Sequence, residues 1–120
     1  MILTFHSLDS DSNKVIFKSE YEIIDGKYIF DDKSAKNTKI IMKINGDNTI
    51  IFKRIGDINM EMLLDVNNNT LCKYKNEMGL EFELIISTNS VKITGKKVEI
   101  DYDSKIYDMI SNHKIWILFN

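Results

Sequence analysis

Chemistry in this chain of 120 residues would start at Arg54. Lysine and arginine together number 16, and Arg54 is the single arginine among them. It stands in phase with Ile50 and Phe52, so strand alternation aims its guanidinium toward an apolar face. A planar guanidinium grips a carboxylate or phosphate through paired hydrogen bonds, which an ammonium matches less well. The same position also suits a structural role, bonding strand-end carbonyls or stacking on an aromatic such as Trp116. In either role Arg54 needs a partner, because an unpaired buried guanidinium costs several kcal/mol.

Other side chains are weighed the same way. Tyr21, Tyr74 and Tyr102 fall in phase with apolar neighbours. Their hydroxyls would either orient a ligand or simply reach a polar rim from the core. Met60, Met62 and Phe82 would supply an adaptable apolar wall. His113 shares a phase with Ile115 and Ile117 and reads as an imidazole at a strand end; His6 lies apart. Two histidines and Cys72, without local clustering, do not make the three or four ligands a metal needs. Cys72 has no paired base in its vicinity and reads as a buried thiol. Asp57, Glu61, Asp65, Glu81, Glu83, Asp101 and Asp103 alternate with lysines on wet strand faces, as in a cross-paired exterior. No catalytic residue, metal or cofactor is implied.

The elements that must position these residues are strands. Between turn residues the period is two. Ile40, Met42 and Ile44 share a face. So do Ile58, Met60, Met62, Leu64 and Val66; Leu80, Phe82, Leu84 and Ile86; Val98, Ile100, Tyr102 and Ile106; and His113, Ile115, Ile117 and Phe119. Polar residues alternate with most of them, which is the pattern of antiparallel strands with one dry face. Turn chemistry falls at Asp25-Gly26, Asn45 to Asn48, Gly56-Asp57, Asn67 to Asn69, Glu77 to Gly79, Asn89-Ser90 and Gly95-Lys96. The sequence predicts about eight to ten short strands. Short helical turns are expected at most near Asp32–Asn37 or Tyr107–Ser111. Closing such a meander removes its edges, so the expected fold is all-β, a single up-and-down barrel, with a sandwich as the other architecture.

Length allows one domain, residues 1–120, with a sizeable core. A formal net charge of −2 argues against a nucleic-acid binder that works through a basic surface. The beginning of the chain does not read as a signal peptide, and no apolar run is long enough to span a membrane. A lone cysteine suits a reducing compartment, and a cytoplasmic location is expected.

Three stretches carry a family resemblance. The first runs Phe52-Lys53-Arg54-Ile55-Gly56-Asp57-Ile58-Asn59-Met60-Glu61-Met62. The second runs Tyr74-Lys75-Asn76-Glu77-Met78-Gly79-Leu80-Glu81, with Thr88 after it. The third is Val98-Glu99-Ile100-Asp101-Tyr102 with a closing strand after Asn112. In that order and spacing they resemble the YwiB-like family of small bacterial proteins of unknown function. The likeness runs from about Lys14 to Phe119. It implies a calycin-like or lipocalin-like β-barrel and brings no catalytic residue with it. A lipocalin-like barrel further implies an Arg–Trp lock between Arg54 and Trp116.

Two functions follow as expectations. In the first, the barrel is open and binds a small anionic or amphipathic molecule through Arg54, Tyr74, Tyr102, Met60, Met62 and Phe82. In the second, the core is solid and the protein is an interaction or assembly module. Its homodimer or partner contact would then use Ile41, Leu63, Ile85, Trp116 and Leu118, which sit out of phase with the core.

Overall fold

The computed structural model describes Met1–Asn120, and alternation becomes ten strands with no helix. They are β1 (Ile2–Asp9), β2 (Lys14–Ile24), β3 (Lys27–Asp31), β4 (Lys39–Ile44), β5 (Ile50–Ile55), β6 (Asn59–Leu64), β7 (Thr70–Lys75), β8 (Glu81–Thr94), β9 (Lys97–Ile106) and β10 (Met109–Phe119). Every strand pairs antiparallel with its neighbours in sequence. β1 also pairs with β10, from Leu3 opposite Phe119 to Asp9 opposite His113. The result is a closed up-and-down barrel.

Local chemistry explains the corners. Asp25 and Gly26 both take positive φ, 51° and 74°, as a two-residue hairpin between right-twisted strands requires. The segments considered for helix, Asp32–Asn37 and Tyr107–Ser111, form turns and strand instead. Tyr107 adopts φ 53° in the tight β9–β10 hairpin, and β10 begins at Met109.

The turn expected at Asn89-Ser90 is a β-bulge inside β8. Pairing with β9 shifts between Thr88 and Ser90. The extra residue, Asn89, donates its side-chain amide to Asp101 Oδ1 at 3.0 Å. Ile86 and Thr88 are buried before the bulge, and Val91 after it. The inward phase therefore moves from even to odd positions without ending the strand. Val66, expected on the dry face, is exposed in the β6–β7 turn, and Leu80 is exposed before β8.

The interior is apolar. Leu3, Phe5, Ile40, Met42, Ile50, Phe52, Met62, Leu64, Val98 and Ile117 are among its buried residues. At the end holding both termini, Tyr21, Tyr28 and Phe119 pack with ring centroids 4.8 to 6.1 Å apart. Phe5 stacks on Phe17 at 4.9 Å just inside. Aromatic packing fills this end.

The outer wall carries a charged row. Lys53, Glu61, Lys73 and Glu83 stand side by side across β5 to β8. No helix is long and apolar enough to cross a membrane.

The opposite rim carries the hairpins that follow β1, β3, β5, β7 and β9. There the β5–β6 turn presses on the loop between β3 and β4. Gly56 has φ 146°, and a Cβ on it would lie 1.8 Å from the Asn37 carbonyl oxygen. Gly56→Ala is expected to lower stability by about 3 kcal/mol, combining clash and backbone strain. Urea titration should show a lower midpoint with an unchanged slope.

Candidate functional site

The rim with the Gly56 turn opens into the barrel. A cavity of about 450 Å³ lies there. Its wall includes Phe52, Met60, Met62, Leu84 and Ile86, and its polar side chains include Arg54, Tyr74, Tyr102, Ser104 and His113. This volume falls within the range of small-ligand pockets. The cavity exists because the large aromatics cluster at the other end, while positions facing this rim carry hydroxyls, thioethers and charges.

Arg54 is inward, as its phase requires. Its Nε lies 3.2 Å from Asp32 Oδ2. Asp32 is fully buried at its side chain, and Arg54 is 23% exposed there. The contact is an ion pair without hydrogen-bond alignment, since both atoms lack a hydrogen-bond partner. Asp32 is fixed from its other side. Its Oδ1 accepts from the Ser34 amide at 3.0 Å and from the Ser34 hydroxyl, and its own amide donates to the Thr38 carbonyl at 2.9 Å. The carboxylate therefore holds one edge of the guanidinium. The two terminal nitrogens of Arg54 bond no protein atom.

Arg54 thus has a partner, but neither of those expected. Strand-end carbonyls do not bind it. Trp116 belongs to the opposite phase of β10 and lies on the outer wall, stacked on His6 at 5.4 Å and 3°. The implied Arg–Trp lock is absent because alternation puts these two side chains on different faces.

β9 and β10 build the facing wall. In a ring of ten strands, β5 stands opposite β10. His113 Nε2 shares a hydrogen bond of 2.8 Å with Ser104 Oγ, and its ring stacks on Tyr102 at 4.8 Å and 17°. Burial holds the His113 pKa below its ordinary 6.5; Arg54 also lowers it, while Asp9, Asp103 and Asp11 pull upward. Burial pushes Tyr102 up to about 12, so it is a neutral donor. Beside it, the buried Thr88 hydroxyl has no hydrogen-bond partner. Burial likewise raises Cys72 to about 11, which leaves an unreactive thiol in the wall. No three His, Cys, Asp and Glu side chains are grouped to hold a metal ion.

Five residues expected at a ligand site, Arg54, Tyr74, Tyr102, Met60 and Met62, line this one cavity. Phe82 lies beside it in a recess of about 650 Å³ that shares Arg54, Met60 and Tyr74 with the cavity. Tyr21 is at the far end. The five residues expected at an interface are outward but divided. Leu63 and Ile85 share the β5–β8 face. Ile41 lies opposite Ile29 and Lys53, Trp116 opposite His6 and Glu99, and Leu118 opposite Thr4 and Lys97.

Sequence reasoning missed Asp32 and Ser104. Asp32 carried a partial signal, since Asp-Lys-Ser is the spacing at which a carboxylate caps the amide two residues on. Nothing local tied it to Arg54.

Comparison with known proteins agrees with this fold. A structure described as the crystal structure of ywiB protein from Bacillus subtilis superposes with a TM-score of 0.63 at 21% identity, covering 99% of this chain and 90% of that one. No curated protein matches the sequence. Residues 6–117, from β1 to β10, match the model of a family described as a domain of unknown function (DUF1934). Since that match takes in nearly the whole barrel, the chain belongs to the DUF1934 family, the YwiB-like proteins.

Proposed function

We infer that this barrel binds a small anionic or amphipathic molecule at its open rim. One observation carries the reading: a guanidinium with both terminal nitrogens unspent lines a cavity of about 450 Å³ with apolar walls. The ion pair with Asp32 at 3.2 Å already restricts Arg54, so less rotamer entropy is lost when an anion arrives. The head of the ligand meets Arg54, with the hydroxyls of Tyr74 and Tyr102 beside it. Its apolar part lies against Met60 and Met62. Partial neutralisation of Arg54 by Asp32 favours a singly charged head over a strongly charged one.

Anilinonaphthalene sulfonate, an apolar fluorophore with one fixed negative charge, tests this directly. Saturable one-to-one binding is expected. Arg54→Met should weaken it by about ten- to a hundred-fold, the range for charge-assisted hydrogen bonds, and Arg54→Lys should fall between. Absence of saturable binding, or equal binding by Arg54→Met, would overturn the reading.

A second reading gives the outer face of β5–β8 to another copy of this chain. Lys53, Glu61, Lys73 and Glu83 alternate in sign across the four strands. Beside this row, Ile51 pairs with Leu63, and Leu71 with Ile85. Leu63, Leu71 and Ile85 are 37%, 66% and 43% exposed. A two-fold axis along the strands, between β6 and β7, reverses strand order and keeps the rows. Lys53 then meets the partner's Glu83, Glu61 meets the partner's Lys73, and the apolar row meets itself. Sedimentation equilibrium should find dimers that Lys53→Glu dissociates and that Lys53→Glu with Glu83→Lys restores. A monomer at all concentrations would exclude this arrangement.

A further inference from the structure

We propose that His113, on the wall opposite Arg54, is a second anchor for the bound anion and takes up a proton as the anion binds. The proposal rests on the lumen reading above and deepens it. Three observations on geometry support it. β10 and β5 are five places apart in the ten-strand ring, so their inward side chains face each other across the cavity. His113 and Arg54 both line that cavity. The imidazole spends only Nε2, on Ser104, while stacking on Tyr102 fixes the plane of the ring.

The proton has a defined place. When neutral, His113 shares one proton with Ser104, and its other nitrogen is uncommitted. Once protonated, both ring nitrogens donate. Nε2 then donates to Ser104 Oγ, and the serine hydroxyl is free to donate into the cavity. One protonation therefore adds a positive charge and one donor to the site: the second ring N–H where Nε2 already carries the proton, the Ser104 hydroxyl where Nδ1 carries it.

Charges from every side set the balance. Arg54 on β5 opposes protonation, as does burial. Asp9 and Asp11, at the β1 end and its turn, and Asp103 on β9 favour it. Asp9 is already engaged by the amides of Asp11 and Asn13 and the side-chain amide of Asn13, so it remains a charged neighbour. In the empty barrel the burial and Arg54 contributions prevail, and His113 is neutral at neutral pH. A bound anion offsets the charge of Arg54 and attracts the imidazolium, so it raises the pKa of His113. By linkage, affinity must rise as pH falls through the interval between the empty and occupied values.

The test uses the same sulfonate probe, whose charge does not change over the range. Between about pH 8 and about pH 5 the wild-type protein should bind it about ten-fold more tightly at the acid end, the size of one added charge-assisted hydrogen bond. His113→Gln should lose the pH dependence, whatever its affinity at the alkaline end. The chain has only two histidines, so proton NMR can follow His113 in the unsubstituted protein, with His6 as internal control. Probe saturation should raise the His113 midpoint and leave His6 in place. A flat pH profile, a His113→Gln profile like wild type, or an unmoved His113 midpoint would each overturn the proposal. Loss of binding in Arg54→Met at every pH would still uphold the lumen reading, so the two fail separately.

Discussion

Pairing of β1 with β10 is the constraint on which this structure depends. A ten-stranded meander has two free edges, and each would present a row of unpaired amides and carbonyls to water or to another chain. Seven residue pairs, Leu3 with Phe119 through Asp9 with His113, join those edges. Closure leaves 62 of 75 backbone hydrogen bonds within strands, so the ladder satisfies most of the main chain and side chains are left to decide the interior. It also places β5 across from β10. The facing of Arg54 and His113 follows from strand number and closure, and from no contact near either residue in sequence.

Within that frame, the two ends of the barrel differ by composition. The end with the chain termini is filled by Tyr21, Tyr28 and Phe119, so apolar packing there leaves aromatics as the plug. The other rim holds a buried carboxylate, a guanidinium and an imidazole, each of which costs free energy to desolvate. Asp32 offsets part of that cost for Arg54, and Ser34 for Asp32. Gly56 matters to this pair from a distance. Without a side chain it lets the β5–β6 turn sit against Asn37, in the loop that carries Asp32. A backbone approach at one hairpin thereby sets the position of a charge in the cavity.

The strands were legible because alternation reports which face is dry, and because Asp-Gly and Asn-Gly pairs mark where chains reverse. The turn expected at Asp25-Gly26 falls between β2 and β3. Asn89-Ser90 misled for a physical reason. Its residues suit a turn, but a bulge needs the same tolerance for irregular backbone, and only the change from even to odd inward positions distinguishes the two. The N-terminal strand owes its place to pairing with distant β10, and Tyr107 takes a positive φ that its residue type does not signal.

Taken alone, the sequence determined an all-β fold, the inward phase of Arg54, Met60, Met62, Tyr74 and Tyr102, and the outward phase of Leu63, Ile85 and Trp116. These are local properties, carried by a period of two along each strand. Tertiary structure decided which inward residues meet. It brought Asp32 to Arg54 and Ser104 to His113, moved Tyr21 to the far end, and put Trp116 beyond reach of Arg54. Such pairings depend on register and ring position across the closed sheet, and these are set by the whole barrel at once.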